Sequence, residues 1–298
     1  MIEALEIKQY FDAIYNSNDF THSYDANTRT YYIYGTSHRD TLSISVGSNS
    51  APSPDPNVDD FVITINGSYN ETSLDWAAVD TIVVFGMAGD DLFQINANAG
   101  EAIHHNIIVF GGDGNDVIQN IYRHALIEGN AGDDIILDFL QTGGSISTLR
   151  GGKGNDTIYG GPDQDLIYGG AGDDFIHGDN FMPLVPLGDG ITENGSSSGP
   201  GGSDTIFAGT GSDSVDGDEG ADLIFGEPGD DVLYGNLGPD TIYGNPGNDQ
   251  IYAGRGFDQL FGGRGDDTLS GGRGDDRFTS GAGLDVTLLG LGSDIFND

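Results

Sequence analysis

Aspartate is the residue whose type and spacing could carry chemistry in this chain. From Asp156 onward it recurs at every ninth position, with one interruption after Asp174, and looser copies come earlier. Carboxylates at this density either hold hard cations, which prefer oxygen ligands, or act as acid–base pairs. The repeat itself accounts for adjacent carboxylates such as Asp133 and Asp134, so we favour cation binding. Seventeen aspartates share this place in the pattern: Asp91, Asp116, Asp134, Asp156, Asp165, Asp174, Asp204, Asp213, Asp222, Asp231, Asp240, Asp249, Asp258, Asp267, Asp276, Asp285 and Asp294.

The composition supports the same interpretation. The 298 residues include 48 acidic and 10 basic side chains, 50 glycines and no cysteine, and the formal net charge is −38. This acidity disfavours nucleic acid and anionic lipid as partners, because both require lysine and arginine. The absence of cysteine excludes disulfides and thiolate metal sites. Such a charge would expand the chain unless a cation neutralised it. The sequence has no apolar run long enough to predict a membrane-spanning helix.

The residues around each aspartate form a unit of nine. The unit containing Asp249 reads GNPGNDQIY and the unit containing Asp267 reads GGRGDDTLS. The first six residues must turn tightly, which glycine permits, and the last three predict a short strand whose middle residue points inward. Two units would make one coil, and successive coils would stack about 4.8 Å apart. Aspartates 18 residues apart would then lie directly above one another.

This GGxGxDxUx pattern, in which U is a large apolar residue, resembles the RTX (repeats-in-toxin, hemolysin-type) calcium-binding repeat family. The resemblance covers residues 86–298 strongly and about 31–85 weakly. It implies an all-β fold, a right-handed parallel β-roll (a β-solenoid) with two repeats in each coil. It also implies that Ca²⁺ lies between stacked turns, held by pairs of these aspartates and by loop carbonyls.

The spacing predicts two stacks of aspartates, one at each edge of the roll. The first stack should contain Asp91, Asp116, Asp134, Asp156, Asp174, Asp213, Asp231, Asp249, Asp267 and Asp285. The second should contain Asp165, Asp204, Asp222, Asp240, Asp258, Asp276 and Asp294. With one ion in each gap, we expect up to roughly 15 calcium ions. That number would offset most of the formal charge of −38.

Three segments follow from these patterns. Residues 1–30 should form an N-terminal cap, with a short helix at residues 2–16, where apolar side chains follow helical spacing. Residues 31–85 should form degenerate, calcium-poor β coils, with Asp40 in the sixth place of a worn repeat. Residues 86–298 should form the calcium β-roll, with an apolar inserted loop at 179–198 that either folds back over the roll or binds a partner. The C-terminal end is either capped by its own last residues or completed by a partner.

No catalytic constellation emerges from the sequence. None of the six histidines belongs to an HExxH motif. The GxSxG match at residues 195–199 lies in a Gly/Ser-rich linker without the strand-to-helix context of a nucleophile elbow. We therefore expect no catalytic residues, no enzyme activity and no cofactor other than Ca²⁺.

An aromatic ladder is predicted on the outside of one sheet. The ninth position of the repeat points outward, and residues 18 apart line one face, namely Tyr168, Phe207, Phe225, Tyr243 and Phe261. Such a strip either shields the sheet or forms an interface for self-association or surface glycan, through Phe207, Phe225, Tyr243 and Phe261.

The function that we expect is that of a secreted or cell-surface calcium-binding repeat protein, structural or adhesive, that folds on binding Ca²⁺ after export. The first twenty residues do not resemble a Sec-type signal peptide, so the family resemblance implies type I export. The alternative is an accessory module or fragment of a larger secreted toxin or enzyme.

Overall fold

The computed structural model describes residues 21–46, 61–65, 68–70, 79–97, 106–120, 125–138, 146–179 and 202–297. Across these ranges the protein contains two sheets of 13 strands each and no helix. The all-β roll predicted from the repeats is therefore confirmed. The helix expected at residues 2–16 lies outside the described residues, as does the inserted loop beyond Asp179.

The strands are short, and most end at a glycine-containing turn. In chain order they are β1 (Thr21–Asp25), β2 (Thr30–Tyr34), β3 (Thr41–Val46), β4 (Phe61–Ile65), β5 (Ser68–Asn70), β6 (Thr81–Ala88), β7 (Leu92–Ala97), β8 (Asn106–Asp113), β9 (Val117–Asn120), β10 (Ala125–Ala131), β11 (Ile135–Asp138), β12 (Thr148–Lys153), β13 (Thr157–Tyr159), β14 (Leu166–Ala171), β15 (Phe175–His177), β16 (Thr205–Thr210), β17 (Ser214–Asp216), β18 (Leu223–Phe225), β19 (Val232–Leu237), β20 (Thr241–Pro246), β21 (Gln250–Arg255), β22 (Gln259–Arg264), β23 (Thr268–Arg273), β24 (Arg277–Ala282), β25 (Val286–Leu288) and β26 (Ile295–Phe296).

The chain alternates between the two sheets, so that each coil adds one strand to each. The first sheet has the order β1-β2-β6-β8-β10-β12-β14-β16-β18-β20-β22-β24-β26, and the second has β25-β23-β21-β19-β17-β15-β13-β11-β9-β7-β3-β4-β5. Pairing in the regular part is parallel, and Ile242 of β20 lies opposite Leu260 of β22, one coil later. The register therefore matches the 18-residue period that the sequence predicted.

The N-terminal coils depart from the parallel pattern. Strand β1 pairs antiparallel with β2, β4 pairs antiparallel with β3, and β5 pairs antiparallel with β4. The sequence pattern predicted worn coils for residues 31–85 and gave no sign of antiparallel pairing there, and β1 falls in the segment predicted as the N-terminal cap. Strands β2 and β3 do belong to the parallel stack, through β6 and β7.

The core is a single column of apolar side chains between the two sheets. Each short strand turns its middle residue inward, so Ile158, Ile167 and Ile176 from successive strands are completely buried while their neighbours face outward. In the last described coil, Phe296, in the same position of the repeat, is 45% exposed. Between β10 and β23, each coil thus buries only two large apolar side chains, which is a thin core for a chain of this charge.

Glycine is required where successive turns touch. Gly154 has a φ of +119°, and a Cβ at this residue would overlap the carbonyl of Gly132 in the previous coil. A Cβ at Gly151 would overlap the carboxylate of Asp156 within the same turn. The glycines therefore allow the turns to stack at the spacing of the strands and to enclose the aspartate side chains.

Along the described part of the chain, no helix is long and apolar enough to cross a membrane.

Candidate metal centres

The structure places the seventeen predicted aspartates in two continuous columns inside the turns. In each column the backbone N–H of one aspartate donates to Oδ1 of the aspartate in the next coil, as in Asp213 to Asp231 (2.9 Å) and Asp231 to Asp249 (3.0 Å). The two columns contain the same residues, in the same order, that the spacing predicted.

The columns continue through the irregular spacings. Asp134, 22 residues before Asp156, donates to it at 2.9 Å, and Asp174, 39 residues before Asp213, donates to it at 2.7 Å. The extra residues therefore leave the ladder between the aspartates intact. The carboxylates of the column aspartates stay aligned because each one after the first accepts a hydrogen bond from the backbone N–H of the preceding aspartate in the column.

The second carboxylate oxygen of most of these aspartates has no hydrogen-bond partner. Among the described residues, Oδ2 is buried and unpaired in Asp91, Asp116, Asp134, Asp156, Asp174, Asp204, Asp213, Asp222, Asp231, Asp240, Asp249, Asp258, Asp267 and Asp276. An unpaired buried carboxylate is strongly unfavourable, and proteins normally pair such a group or bind a metal with it. The columns thus present rows of oxygen ligands, which is the donor set that Ca²⁺ prefers.

Backbone carbonyls border the same space as the unpaired oxygens. Asp156 Oδ2 lies against the Cα of Gly151, and the carbonyl oxygen of Gly169, in the next coil, is 2.6 Å from where a Cβ of Gly151 would be. Carboxylate and carbonyl oxygens from adjacent coils therefore converge within one turn. These residues fit a hard cation bound between coils, and Ca²⁺ in this place would supply the positive charge that the carboxylates lack.

Burial makes the metal-free carboxylates hard to ionise. It raises the pKa of Asp231 to about 8 and that of Asp240 to about 7, with neighbouring aspartates adding to the shift. The pKa of Asp165, at the start of the second column, is raised further, to about 10. The physical cause is removal from water, which penalises the charged form.

Asp40 extends the first column by one coil but differs from the others. Its N–H donates to Asp91 Oδ1 (2.7 Å), while its own Oδ2 accepts hydrogen bonds from the N–H and hydroxyl of Thr36 (2.7 and 3.0 Å). Here the chain itself satisfies the oxygen that is unpaired in later coils. The sequence pattern predicts Asp40 in the sixth position of a worn repeat, and the structure places it there in line with the first column.

A group of polar side chains precedes the second column. Asn120 donates to Asp138 Oδ1 (3.2 Å), the hydroxyl of Ser147 donates to Asp138 Oδ2 (2.6 Å), and the Ser147 N–H donates to Asp165 Oδ1 (2.8 Å). All three side chains are buried. Sequence reasoning missed this group because the repeat motif is absent there. The available signal was Asn120 and Asp138 at first positions where the repeat normally has glycine.

Comparisons with known proteins agree with this geometry. The family description "RTX calcium-binding nonapeptide repeat" matches residues 108–119, 141–176, 198–233, 225–260, 254–287 and 261–296. A search of curated proteins found no significant match. Two parallel sheets joined by turns that enclose columns of aspartate define a calcium-binding β-roll. The chain belongs to the RTX, or hemolysin-type, calcium-binding repeat family.

Ligation of Ca²⁺ by individual aspartates is a prediction that substitution can rank. Asp231 is completely buried, with an aspartate on either side in its column, whereas Asp294 ends its column. We expect Asp231→Asn to raise the calcium concentration at the folding midpoint by about tenfold, equivalent to about 1.4 kcal/mol, because a charged ligand is lost between two coils. Asp294→Asn, the matched control, should shift the midpoint by less than about threefold. Circular dichroism during calcium titration would measure both, and equal shifts would contradict the assignment.

The pKa values predict how the metal-free roll responds to pH. The folded-state pKa of Asp231, about 8, exceeds its ordinary value of 3.8, so the folded state binds more protons than the unfolded state. The stability of the metal-free roll should therefore fall as the pH rises from about 4 to about 8. In excess chelator, circular dichroism should show more β-structure at about pH 5.5 than at about pH 8. Saturating Ca²⁺ should abolish the difference, and identical chelator spectra at both pH values would disprove this reasoning.

Proposed function

We propose that this chain is a secreted or cell-surface calcium-binding protein with a structural or adhesive role, which folds when it meets Ca²⁺ after export. The observation that carries the proposal is the pair of columns in which fourteen buried Oδ2 atoms have no partner. A roll with so many unpaired carboxylates gains its stability from the cation. Metal binding free energy then becomes folding free energy.

The thin core makes this dependence strong. Each coil between β10 and β23 buries two large apolar side chains but brings several carboxylates together, and the whole chain carries a formal charge of −38. Without cations, repulsion within the columns and the entropy cost of ordering the glycine-rich turns oppose folding. A chain with this balance stays unfolded where Ca²⁺ is scarce and folds where Ca²⁺ is abundant, which suits export followed by folding outside the cell.

The proposed role requires no catalytic residues. One surface depression is lined by Phe257, Asp258, Gln259, Asp275, Arg277, Ser293 and Ile295. Ser293 has no histidine or lysine beside it in this lining to act as a base, so the depression offers no activated nucleophile.

The second candidate is an accessory module of a larger secreted toxin or enzyme. It is favoured by the apolar surface of the last coils, where Leu288, Leu289 and Leu291 are 52%, 58% and 70% exposed. A patch of this kind is typical of a surface that contacts another polypeptide. Both candidates rest on the same calcium-dependent roll.

Calcium should switch the folding of the roll. In excess chelator near neutral pH, circular dichroism should show mostly coil, and millimolar Ca²⁺ should convert the spectrum to β-sheet. Mg²⁺ at the same concentration should substitute poorly, because it requires tighter octahedral coordination. A β-sheet spectrum that is unchanged in chelator would overturn the proposal.

The location of the protein provides the second part of this test. Cells that produce it naturally should release it to the medium or display it on their surface, and antibody detection in separated fractions would show which. Protein found only in the cytosol would contradict the secreted role while leaving the calcium-dependent folding intact. Detection of the roll only within a larger polypeptide would favour the second candidate.

The aromatic ladder supports self-association better than glycan binding. On the first sheet, Phe225 stacks on Phe207 and Tyr243 at 4.9 Å between ring centroids, and Tyr243 stacks on Phe261 at 4.4 Å. Glycan rings stack on free aromatic faces, but the inner rings of this ladder cover each other's faces. Their edges form a half-buried strip that suits the same strip on a second copy of the chain.

The calcium-loaded protein should accordingly form side-by-side dimers. Phe225→Ser combined with Phe261→Ser should give a monomer by light scattering, because two rings of the strip are removed, while calcium-dependent folding is retained. Tyr252→Ser, on the opposite sheet, is the matched control and should leave the dimer unchanged. A wild-type protein that remains monomeric at high concentration would refute this part of the proposal.

A further inference from the structure

Three side chains on the outer face of the second sheet form a cluster that the calcium repeat does not explain. The ninth position of the repeat is tyrosine in β13 and β19, but it is His177 in β15 and Asp216 in β17, and these two residues lie opposite each other in the parallel register. Asp218 follows two residues after Asp216, at a position where most repeats have glycine or asparagine. A ring nitrogen of His177 and one oxygen of each carboxylate lie within 4.8 Å of one another.

The distances in this cluster suit a shared ion. His177 Nδ1 is 3.4 Å from Asp218 Oδ2 and 3.9 Å from Asp216 Oδ2. The longer of these distances exceeds that of a hydrogen bond. Two ligands about 2.1 Å from a tetrahedral metal ion are about 3.4 Å apart, which is close to both distances. The two distances from His177 are therefore near those expected around one small divalent cation, and all three ligand atoms lie within 4.8 Å of one another.

The surrounding residues hold the ligands in place. The His177 ring stacks on Tyr159 (5.0 Å between centroids, 8° between planes) and meets the edge of Phe175 (4.8 Å), and the residue is only 9% exposed. The side-chain amide of Asn236 and the N–H of Asp218 both donate to Asp216 Oδ1, which leaves Asp216 Oδ2 on the side of His177. Outer-shell contacts of this kind fix ligand orientation in metal sites.

A neighbouring acid is excluded from the cluster by its own contacts. Asp179 lies two residues after His177, but its Oδ1 accepts the N–H of Gly202 (3.0 Å) and its Oδ2 accepts the N–H of Glu219 (3.1 Å). The described residues thus offer three ligands here, one imidazole and two carboxylates. This set differs from the all-oxygen environment of the turns.

We propose that His177, Asp216 and Asp218 bind one divalent transition-metal ion, such as Zn²⁺, at a site separate from the calcium turns. Imidazole is a good ligand for first-row transition metals, whereas Ca²⁺ prefers oxygen, so the two kinds of site select different ions. Three protein ligands leave a coordination position for water or for a group from a bound molecule. The ion would also join two adjacent coils, because His177 and Asp216 belong to neighbouring strands.

Cobalt provides a direct probe, because Co²⁺ bound in a protein site of low symmetry absorbs visible light. Metal-stripped protein should be refolded in saturating Ca²⁺ and titrated with Co²⁺. We expect one equivalent to produce a visible absorption band and one equivalent of Zn²⁺ to displace it. Absence of the band at equimolar Co²⁺, together with no Zn²⁺ binding by calorimetry, would overturn the proposal.

Substitutions assign the site to these residues. His177→Gln should abolish the band, and Asp218→Asn should weaken Co²⁺ binding more than about tenfold, because each removes one of three ligands. The matched control is His38→Gln, an exposed histidine in an early turn, which should bind Co²⁺ as the wild type does. Circular dichroism in Ca²⁺ would verify that each variant folds. If His177→Gln does not fold, Asp218→Asn provides the test of the site. An undiminished band in the folded variants would show that the metal binds elsewhere and would refute the site.

Discussion

The structure depends on one interaction, the contact of each repeat aspartate with the aspartate of the next coil. The backbone N–H of one residue binds Oδ1 of the next, and this leaves Oδ2 buried without a donor. The hydrogen bonds align the turns. The unpaired Oδ2 atoms are stabilised when a positive charge lies beside them. Strand length, the glycines of the turn and the single large apolar side chain buried by each regular strand are all compatible with this arrangement. The strands alone bury too little surface to hold such a charged stack together.

In the irregular parts of the roll, some of these carboxylate oxygens are hydrogen-bonded by the chain itself. Where Thr36 donates to Asp40, and where Ser147 and Asn120 donate to Asp138, neutral groups satisfy the carboxylate oxygens. The ladder of aspartates continues in these coils. There, hydrogen-bond donors from the chain take the place that a cation would otherwise have beside the carboxylate oxygens. We therefore expect calcium in the turns where no side chain donates to Oδ2, with the count of repeats as the upper bound on the number of ions.

The outer faces of the two sheets are free of these constraints. The ninth position of the repeat contributes neither to the core nor to the turns, so its side chain can vary without loss of the roll. On one sheet it carries stacked aromatic rings, and on the other it carries His177 and Asp216. Specific chemistry in this family member is thus expected on the sheet faces, with the turns reserved for Ca²⁺.

The sequence by itself determined the period, the parallel roll, the inward position of residues such as Ile242 and the membership of both aspartate columns. It could do so because each repeat contacts mainly its neighbours, and a local pattern then specifies the packing. The tertiary structure alone decided which carboxylates are satisfied and which are not. The antiparallel strands β1, β4 and β5 and the approach of His177 to Asp218 join residues whose spacing does not follow the period. Such contacts depend on the path of irregular segments between coils, which no periodic pattern encodes.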